Sequence, residues 1–517
     1  MHGFRLCLAT TIRRLLITLV ALSGAPNLVL AEPGEVLNEW RISETHGGFG
    51  GALTISGLFG FDVAPLGDLN GDGFSDLAVG VPIEVEVNSG RGVIWILFLD
   101  AQGQVVLESR IDAAELGLGS EKSDLFGIAL ANIGDLDGDG LPELAAGAAN
   151  DADGGFAHGA VWILFLNADG GVRAHQKISD TQGGFTGVLS EEDQFGSALA
   201  AIGDLDRDGT PDLAVATPLD DESGLNSGTV WLLFLHPDGT VRSHQKINEF
   251  NGGFTGVLNN GDYFGRSVRS PGDLNADGVP DLVVGAINDE KGAVWILFLR
   301  PDGTVLRQQK IGEDEGGFAG ALEAGTLFGY GLAAPGDLDG DRVCDLLVGA
   351  PNDFENGSGK GAVWVFFMNR DGTVKRELKI NELNGGFAGA LEISGRFGRS
   401  AGTLGDIDGD GFTDVVVSEP LRSDGGFRKG AVWLLSLDGV RGPACGDIDQ
   451  NSKLDRLDAE RLRDQLAGRF SLSLDAQSVC SVIGAPGGCD VADVAVLLRY
   501  ASGLDPLPAC GQGPEAP

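Results

Sequence analysis

One acidic pattern, repeated six times in a single register, constrains this chain more than any other feature. It begins at Asp68, Asp135, Asp204, Asp273, Asp337 and Asp406, so successive copies start 64 to 69 residues apart. Each copy starts nine residues after a Phe-Gly phenylalanine, at Phe59, Phe126, Phe195, Phe264, Phe328 and Phe397. The acidic stretch leads into an apolar run such as Asp76-Leu77-Ala78-Val79-Gly80, and a second apolar run bears Trp95, Trp162, Trp231, Trp295, Trp364 or Trp433. A turn such as Pro237-Asp238-Gly239 follows, whose Asp-Gly supplies the positive φ a hairpin needs, and then a fourth segment ending in Gln176-Lys177-Ile178 or its equivalent. Four short antiparallel strands cannot bury both of their faces alone, but they can if repeats stack around an axis. Glycine, 83 of 517 residues and without a Gly-X-Y period, fits a chain of many turns. The sequence therefore predicts a mainly β fold over 32–440, a β-propeller of four-stranded blades. It has six blades, or seven if a degenerate repeat lies in the joins.

Closure of the ring has its own signal. The sixth repeat stops after Trp433 and Leu437, without a fourth strand, whereas Trp40-Arg41-Ile42 occupies the fourth-strand register ahead of any complete repeat. The first strand is thus expected to complete the last blade and to cover two exposed edges. The six tryptophans, and Trp40 at the join, read as blade core rather than as sugar platforms.

The chemistry sits in the acidic loops. Oxygen-bearing side chains fall at positions 1, 3, 5 and 9: Asp68, Asn70, Asp72 and Asp76; Asp135, Asp137, Asp139 and Glu143; Asp204, Asp206, Asp208 and Asp212; Asp273, Asn275, Asp277 and Asp281; Asp337, Asp339, Asp341 and Asp345; Asp406, Asp408, Asp410 and Asp414. This spacing wraps oxygens around a hard cation, with a glycine at position 6 for the sharp turn and a carbonyl at position 7. The lack of His or Cys ligands favours Ca²⁺ over zinc or copper. A single such loop is often a solvated turn; six in one register are not. Arg342 replaces the position-6 glycine of the fifth loop and is expected to strain it.

Phe328-Gly329, the Asp337 loop and Gly349-Ala350-Pro351 resemble the FG-GAP repeat of integrin alpha propellers, and the likeness runs over about 36–440. The Gly-Ala-Pro element degrades to Gly80-Val81-Pro82 and to Ala216-Thr217-Pro218. The resemblance implies acidic loops between the first two strands of each blade, calcium on one face and a protein ligand on the other. That opposite face is expected to consist of Gly-Gly-Phe segments such as Gly183-Gly184-Phe185 and of variable loops such as 220–227. The alternative for Gly-Gly-Phe is a phenylalanine tucked between blades.

The character of the chain changes after Gly442, where cysteines and a helical period replace alternating strands. Asp447, Asp449, Asn451, the Lys453 carbonyl, Asp455 and Asp458 fall at positions 1, 3, 5, 7, 9 and 12 of one further calcium loop. Leu462 and Leu466, then Val494, Leu497, Leu498 and Ala501, share helical faces. Residues 443–512 resemble a dockerin type I module, a small α-helical EF-hand-like domain that implies a cohesin-like partner, with 513–517 as a tail. Its second loop has lost its ligands, having Val482, Gly484 and Pro486 at positions 1, 3 and 5. Cys445, Cys480, Cys489 and Cys510 leave three pairings open. The resemblance, in which the termini lie together, favours Cys445 with Cys510 and Cys480 with Cys489. Cys344 reads as a small buried hydrophobe.

At the other end, Arg5, Arg13 and Arg14 precede the apolar run 15–22, and Val29-Leu30-Ala31 offers a cleavage site. Residues 1–31 therefore read as a signal peptide, the chain as secreted or at the cell surface, and no transmembrane anchor is expected. With 36 basic against 75 acidic side chains the net charge is −39, which excludes a nucleic-acid partner. No metalloprotease, P-loop or histidine cluster marks an enzyme. Gly398-Arg399-Ser400-Ala401-Gly402 matches the nucleophile-elbow string but opens a blade strand. The expected function is that of a secreted, calcium-binding interaction or adhesion protein. Its propeller would meet an extracellular protein or glycan, and its C-terminal module a cohesin-like or surface partner. The alternatives are a polysaccharide-degrading enzyme, glycoside hydrolase or lyase, on a propeller scaffold, and a structural matrix or surface-layer component.

Overall fold

The second and third strands of each repeat are apolar at nearly every position, which requires burial on both faces, whereas the fourth strand is mostly polar and belongs at an edge. The computed structural model describes residues 32–439 except 84–91, 115–116, 118–123 and 356–358, and it contains that arrangement six times. A first strand, β1 (Val36–Ile42), precedes blade one, which is β2 (Val63–Gly67), β3 (Asp76–Val81), β4 (Val93–Leu99) and β5 (Val105–Asp112). Blade two is β6 (Phe126–Gly134), β7 (Glu143–Ala148), β8 (Ala160–Leu166) and β9 (Val172–Ile178). Blade three is β10 (Ala198–Gly203), β11 (Asp212–Thr217), β12 (Thr229–Leu235) and β13 (Val241–Ile247). Blade four is β14 (Phe264–Gly272), β15 (Asp281–Ala286), β16 (Ala293–Leu299) and β17 (Val305–Ile311). Blade five is β18 (Leu332–Gly336), β19 (Asp345–Ala350), β20 (Ala362–Met368) and β21 (Val374–Ile380). The last three strands are β22 (Ala401–Gly405), β23 (Asp414–Glu419) and β24 (Ala431–Leu437).

All neighbouring strands are antiparallel, and the sixth sheet runs β22-β23-β24-β1. Trp40 pairs with Leu434 and Ile42 with Val432, so the first strand completes the last blade and the ring has six blades, not seven. The Gly-Gly-Phe segments settle on the tucked arrangement rather than on a presented face. Phe185, reached from blade two, stacks on Phe195 and meets Trp231 edge-on, both in or leading into blade three, with ring centroids 5.0 and 5.1 Å apart. Phe49, Phe254, Phe318 and Phe387 do the same at their joins. The first glycine of each Gly-Gly-Phe also ties the rims together, because the Val241 N–H of blade three donates to the Gly183 carbonyl at 2.8 Å and four other joins repeat the bond.

The core is not one mass but six slabs, one per blade interface. What sets their thickness is a glycine contact. A Cβ at Gly349, on the second strand of blade five, would collide with the backbone carbonyl of Gly398 in the Phe-Gly pair of blade six, and Gly80, Gly147 and Gly285 face Gly127, Gly196 and Gly329 likewise. At the two remaining interfaces Ala216 and Ser418 stand in place of glycine and the approach is looser. Five tryptophan indole nitrogens, including those of Trp95 and Trp231, are buried without an acceptor. Trp433 alone donates, at 2.8 Å, to Glu419, which occupies the position of Ala350 and also pairs with Arg422 at 3.0 Å.

Residues 1–31, expected to be a signal peptide, and residues 443–512, expected to be a calcium-binding module with its loop residues and four cysteines, lie outside the described residues. Among the described residues no helix is long and apolar enough to cross a membrane.

Because neither backbone at the glycine contact can yield, Gly349→Ala should cost roughly 1–3 kcal/mol in denaturant unfolding. The same change at solvent-facing Gly71, where a Cβ meets nothing, should cost only the strain of its positive φ. Equal losses at the two positions would refute the interface role.

Candidate metal centre

Each acidic loop joins the first and second strands of its blade, and its shape is held from inside by its own carboxylates. Asp68 accepts the N–H groups of Asp72 and Gly73, both at 2.8 Å, which folds the loop back on position 1. Asp204 does so with Asp208 and Gly209, and Asp337 with Asp341 and Arg342. The position-5 carboxylate accepts the position-7 N–H in all six loops, as Asp72 does from Phe74 at 3.0 Å. Position 9 points inward from the start of the second strand and takes the N–H of position 2, for example Leu205 to Asp212 at 3.0 Å. In the odd-numbered loops and the fourth it also takes one from the end of the third strand, as from Leu235 at 3.2 Å.

Two residues per loop sit in the left-handed region, at positions 4 and 6. Glycine fills most of these places, but Arg207 (φ 60°), Ala276 (φ 63°) and Arg342 (φ 67°) do not have that freedom. The strain expected at Arg342 is therefore present, and the sequence reading overlooked the same demand at position 4.

The remaining oxygens point to a cation. In four loops the carboxylates at positions 1, 3 and 9, such as Asp204, Asp206 and Asp212, bring one oxygen each within 4.8 Å of one another. Asp206 Oδ1, Asp339 Oδ1 and Asp414 Oδ1 within these cups, and Asn275 Oδ1 in the fourth loop, are buried with no hydrogen-bond donor. An orphaned buried oxygen carries the full desolvation cost of a polar group, and a hard cation bound by oxygens alone is what relieves it. The residues therefore fit a calcium-type ion.

Counter-charges, which the sequence reading did not foresee, sort the loops. Arg173 lies 2.7 Å from Asp137 and 2.6 Å from Asp139, Arg242 pairs with Asp206 and Asp208, and Lys375 with Asp339 and Asp341. Each follows the first residue of the fourth strand, where the other blades have Val106, Leu306 and Leu37. The three loops with a basic partner have four carboxylates, giving −4 + 1 = −3, whereas the first and fourth have asparagine at position 3, three carboxylates and no basic partner, again −3.

Burial pushes the position-9 carboxyls up, with neighbouring carboxylates adding to the shift and backbone N–H bonds opposing it: Asp76 to about 6, and Glu143, Asp212, Asp281, Asp345 and Asp414 to about 7. A carboxyl whose folded pKa lies above its unfolded value binds more protons when folded. Metal-free protein should therefore lose stability as pH rises from about 4 to about 7.

A second repeated cluster also escaped the sequence reading, which took Gln-Lys-Ile only as a strand end. Lys177, Lys246, Lys310 and Lys379 lie over the tryptophans of their blades, Lys246 at 5.0 Å from the Trp231 ring. They pair with Asp151, Asp220, Asp289 and Asp353, which are almost fully buried. The only sequence signal is an acid a few residues beyond the second strand. Cys344 is half-buried against the core between blades four and five. Ser400, in the nucleophile-elbow string, donates to Asp62 at 2.5 Å and accepts from the Val63 N–H at 3.3 Å, with no histidine partner among the described residues.

Two measurements follow from this geometry. Chelator-treated protein should melt at progressively lower temperature between pH 5 and pH 7.5; a flat profile would mean the position-9 acids are ionised throughout. Ala276→Gly should stabilise the chain by about 1 kcal/mol in denaturant unfolding, the cost of a left-handed alanine.

Comparison with known proteins agrees with this architecture. The FG-GAP repeat family matches residues 59–97, 195–233, 264–297, 328–366 and 397–435. Integrin alpha-3 of Cricetulus griseus is 33% identical over 196 residues, 38% of this chain and 17% of its own length. Integrin alpha-4 of Xenopus laevis is 29% identical over 272 residues, 51% and 22%. Integrin alpha-2 of Mus musculus is 33% identical over 193 residues, 36% and 15%. The chain thus spans less than a quarter of the length of these relatives. The crystal structure of BBS1N in complex with ARL6DN, soaked with lead, covers 80% of this chain and 99% of its own at 11% identity and a TM-score of 0.35, too low to bear on function. The described residues form an integrin-like FG-GAP β-propeller.

Proposed function

We propose that this chain is a secreted, calcium-stabilised interaction protein. Its propeller presents the loops between second and third strands to an extracellular protein, and its 443–512 module docks it to a second partner. The observation that carries the calcium reading is the recurrence of buried, donorless oxygens at positions 3 and 9 of the acidic loops. Bound calcium would supply charge neutralisation. Asp68 and its equivalents would keep the loop closed around the ion, and the position-9 carboxylates would anchor it to the blade.

The interaction reading draws on the similarity to integrin alpha chains and on the end of the ring away from the acidic loops. There the loops between second and third strands expose Phe156, Leu225 and Phe427, each more than half accessible. Exposed aromatic and aliphatic side chains on rigid loops are what a protein partner can cover. Docking through 443–512 rests on the ligand spacing of 447–458 alone.

Calorimetric titration of calcium into chelator-treated full-length protein tests the calcium reading. Six equivalents for the propeller loops and a seventh for 447–458 are expected, with the melting temperature rising as they fill. No heat and no shift at millimolar calcium would overturn it.

The charge pattern adds a sharper expectation. Arg242→Leu, which reproduces Leu306 of blade four, leaves the third loop at −4 and should tighten one class of site by about tenfold, or about 1.4 kcal/mol. An unchanged isotherm would show that Arg242 does not compete with the ion.

A further inference from the structure

The six first strands line the axis of the ring, and the residue two places after each Phe-Gly phenylalanine faces its mouth at the end away from the acidic loops. These residues are Phe61, Ile128, Ser197, Arg266, Tyr330 and Arg399. Three places further along, the repeat uses alanine or glycine, except for Arg269. Arg269 spans the channel, donating through Nε to the Leu332 carbonyl at 3.0 Å and through Nη2 to that of Ala401 at 2.8 Å. A chain with a net charge of −39 thus concentrates three guanidinium groups at its axis.

One carboxylate faces them, and it is already engaged. Asp62 accepts from Ser400 Oγ at 2.5 Å and from the Leu130 N–H at 2.7 Å. Arg266 donates to the Tyr330 hydroxyl. Arg399 is 8% exposed and held between two aromatic faces, 4.0 Å from the Phe61 centroid and 3.8 Å from that of Tyr330. Stacking occupies both faces of its plane but none of its N–H groups, and among the described residues no acceptor meets them. Burial, with the neighbouring Arg266 and Arg396 adding to it, holds Arg399 down to about 10, still charged at neutral pH.

Arg266, Arg269, Tyr330, Arg399, Asp62 and Ser400 border a cavity of about 30 Å³. That is room for about two waters, or for the three heavy atoms of a carboxylate group. A planar acceptor with two oxygens matches the guanidinium edge, whereas a larger polyanion is kept away by the acidic surface. We propose that the axial mouth is an anion-binding site for a single carboxylate, held by Arg399 and Arg266. The carboxylate belongs either to a small free acid or to an acidic side chain inserted by a protein partner.

The test uses full-length protein at constant ionic strength, with sodium chloride replaced stepwise by sodium acetate. A melting temperature that rises by about 2 °C is expected, together with density bridging Arg266 and Arg399 in acetate-soaked crystals. A blocked Gly-Glu-Gly peptide separates the sources. Stabilisation by acetate alone assigns a free acid, and stabilisation by both assigns an inserted side chain. Arg399→Met keeps the bulk between the rings and removes the charge. It should match or exceed the wild type in stability without acetate and lose the acetate response, whereas a merely structural arginine would destabilise on replacement. No acetate effect in the wild type, an equal effect in Arg399→Met, or an equal effect of bromide would overturn the proposal.

Discussion

The close backbone approach between neighbouring blades is the constraint on which the rest of this structure depends. Where Gly349 meets the Gly398 carbonyl there is no side chain to adjust, so the separation of the sheets is fixed by main-chain atoms. Every other interface contact takes its length from that spacing. The Phe-Gly phenylalanine reaches into the slab while its glycine, in the left-handed region at all six places, turns the chain into the first strand. The Gly-Gly-Phe phenylalanine and the tryptophan then close the slab toward the rim. A ring built this way distributes its core over six slabs, four of them set by glycine contacts, and needs no central mass of apolar side chains. The axis is thereby left free to hold polar groups.

The same rigidity gives the acidic loops their character. A loop of nine positions with three or four carboxylates would open under its own repulsion if its ends could part. Here the ends belong to two adjacent strands of one sheet, and the position-9 acid is bonded to the loop in every blade and to the third strand as well in four of the six. Burial and this repulsion together hold five of these acids near neutrality, and three of the four loops with a fourth carboxylate have a basic side chain against it.

Most of the fold was legible in the sequence because it is written six times. Repetition exposed the strand order, the ring and even the closing strand, since Trp40-Arg41-Ile42 matches the fourth-strand register. Oxygen positions in the loops were equally legible, as side-chain identity decides them. What escaped were features that depend on placement in space rather than on residue type. The residues before each Phe-Gly pair, among them Leu58, Gln194, Tyr263 and Arg396, adopt positive φ although nothing in their chemistry favours it. Arg173, Arg242 and Lys375 lie about 35 residues beyond the loop acids they pair with, a separation that carries no sequence signal. The axial arginines were hidden because first strands are read as apolar, and a substitution at one repeat in six disturbs no pattern.

The pairing of β1 with β24 has a consequence for how the chain comes into being. The two partners stand at opposite ends of the propeller sequence, so during synthesis from the N-terminus the first strand is made long before the strand it needs. Until Leu437 has emerged, the earlier blades form an open arc with two unsatisfied sheet edges and an apolar slab bare at each end. The last register to form is also the one that covers the apolar edge of β24 and closes the ring, so a shortened or stalled chain keeps that edge bare, and a finished one does not. The ring thus contains its own test of completeness, applied by the strand that was waiting from the start.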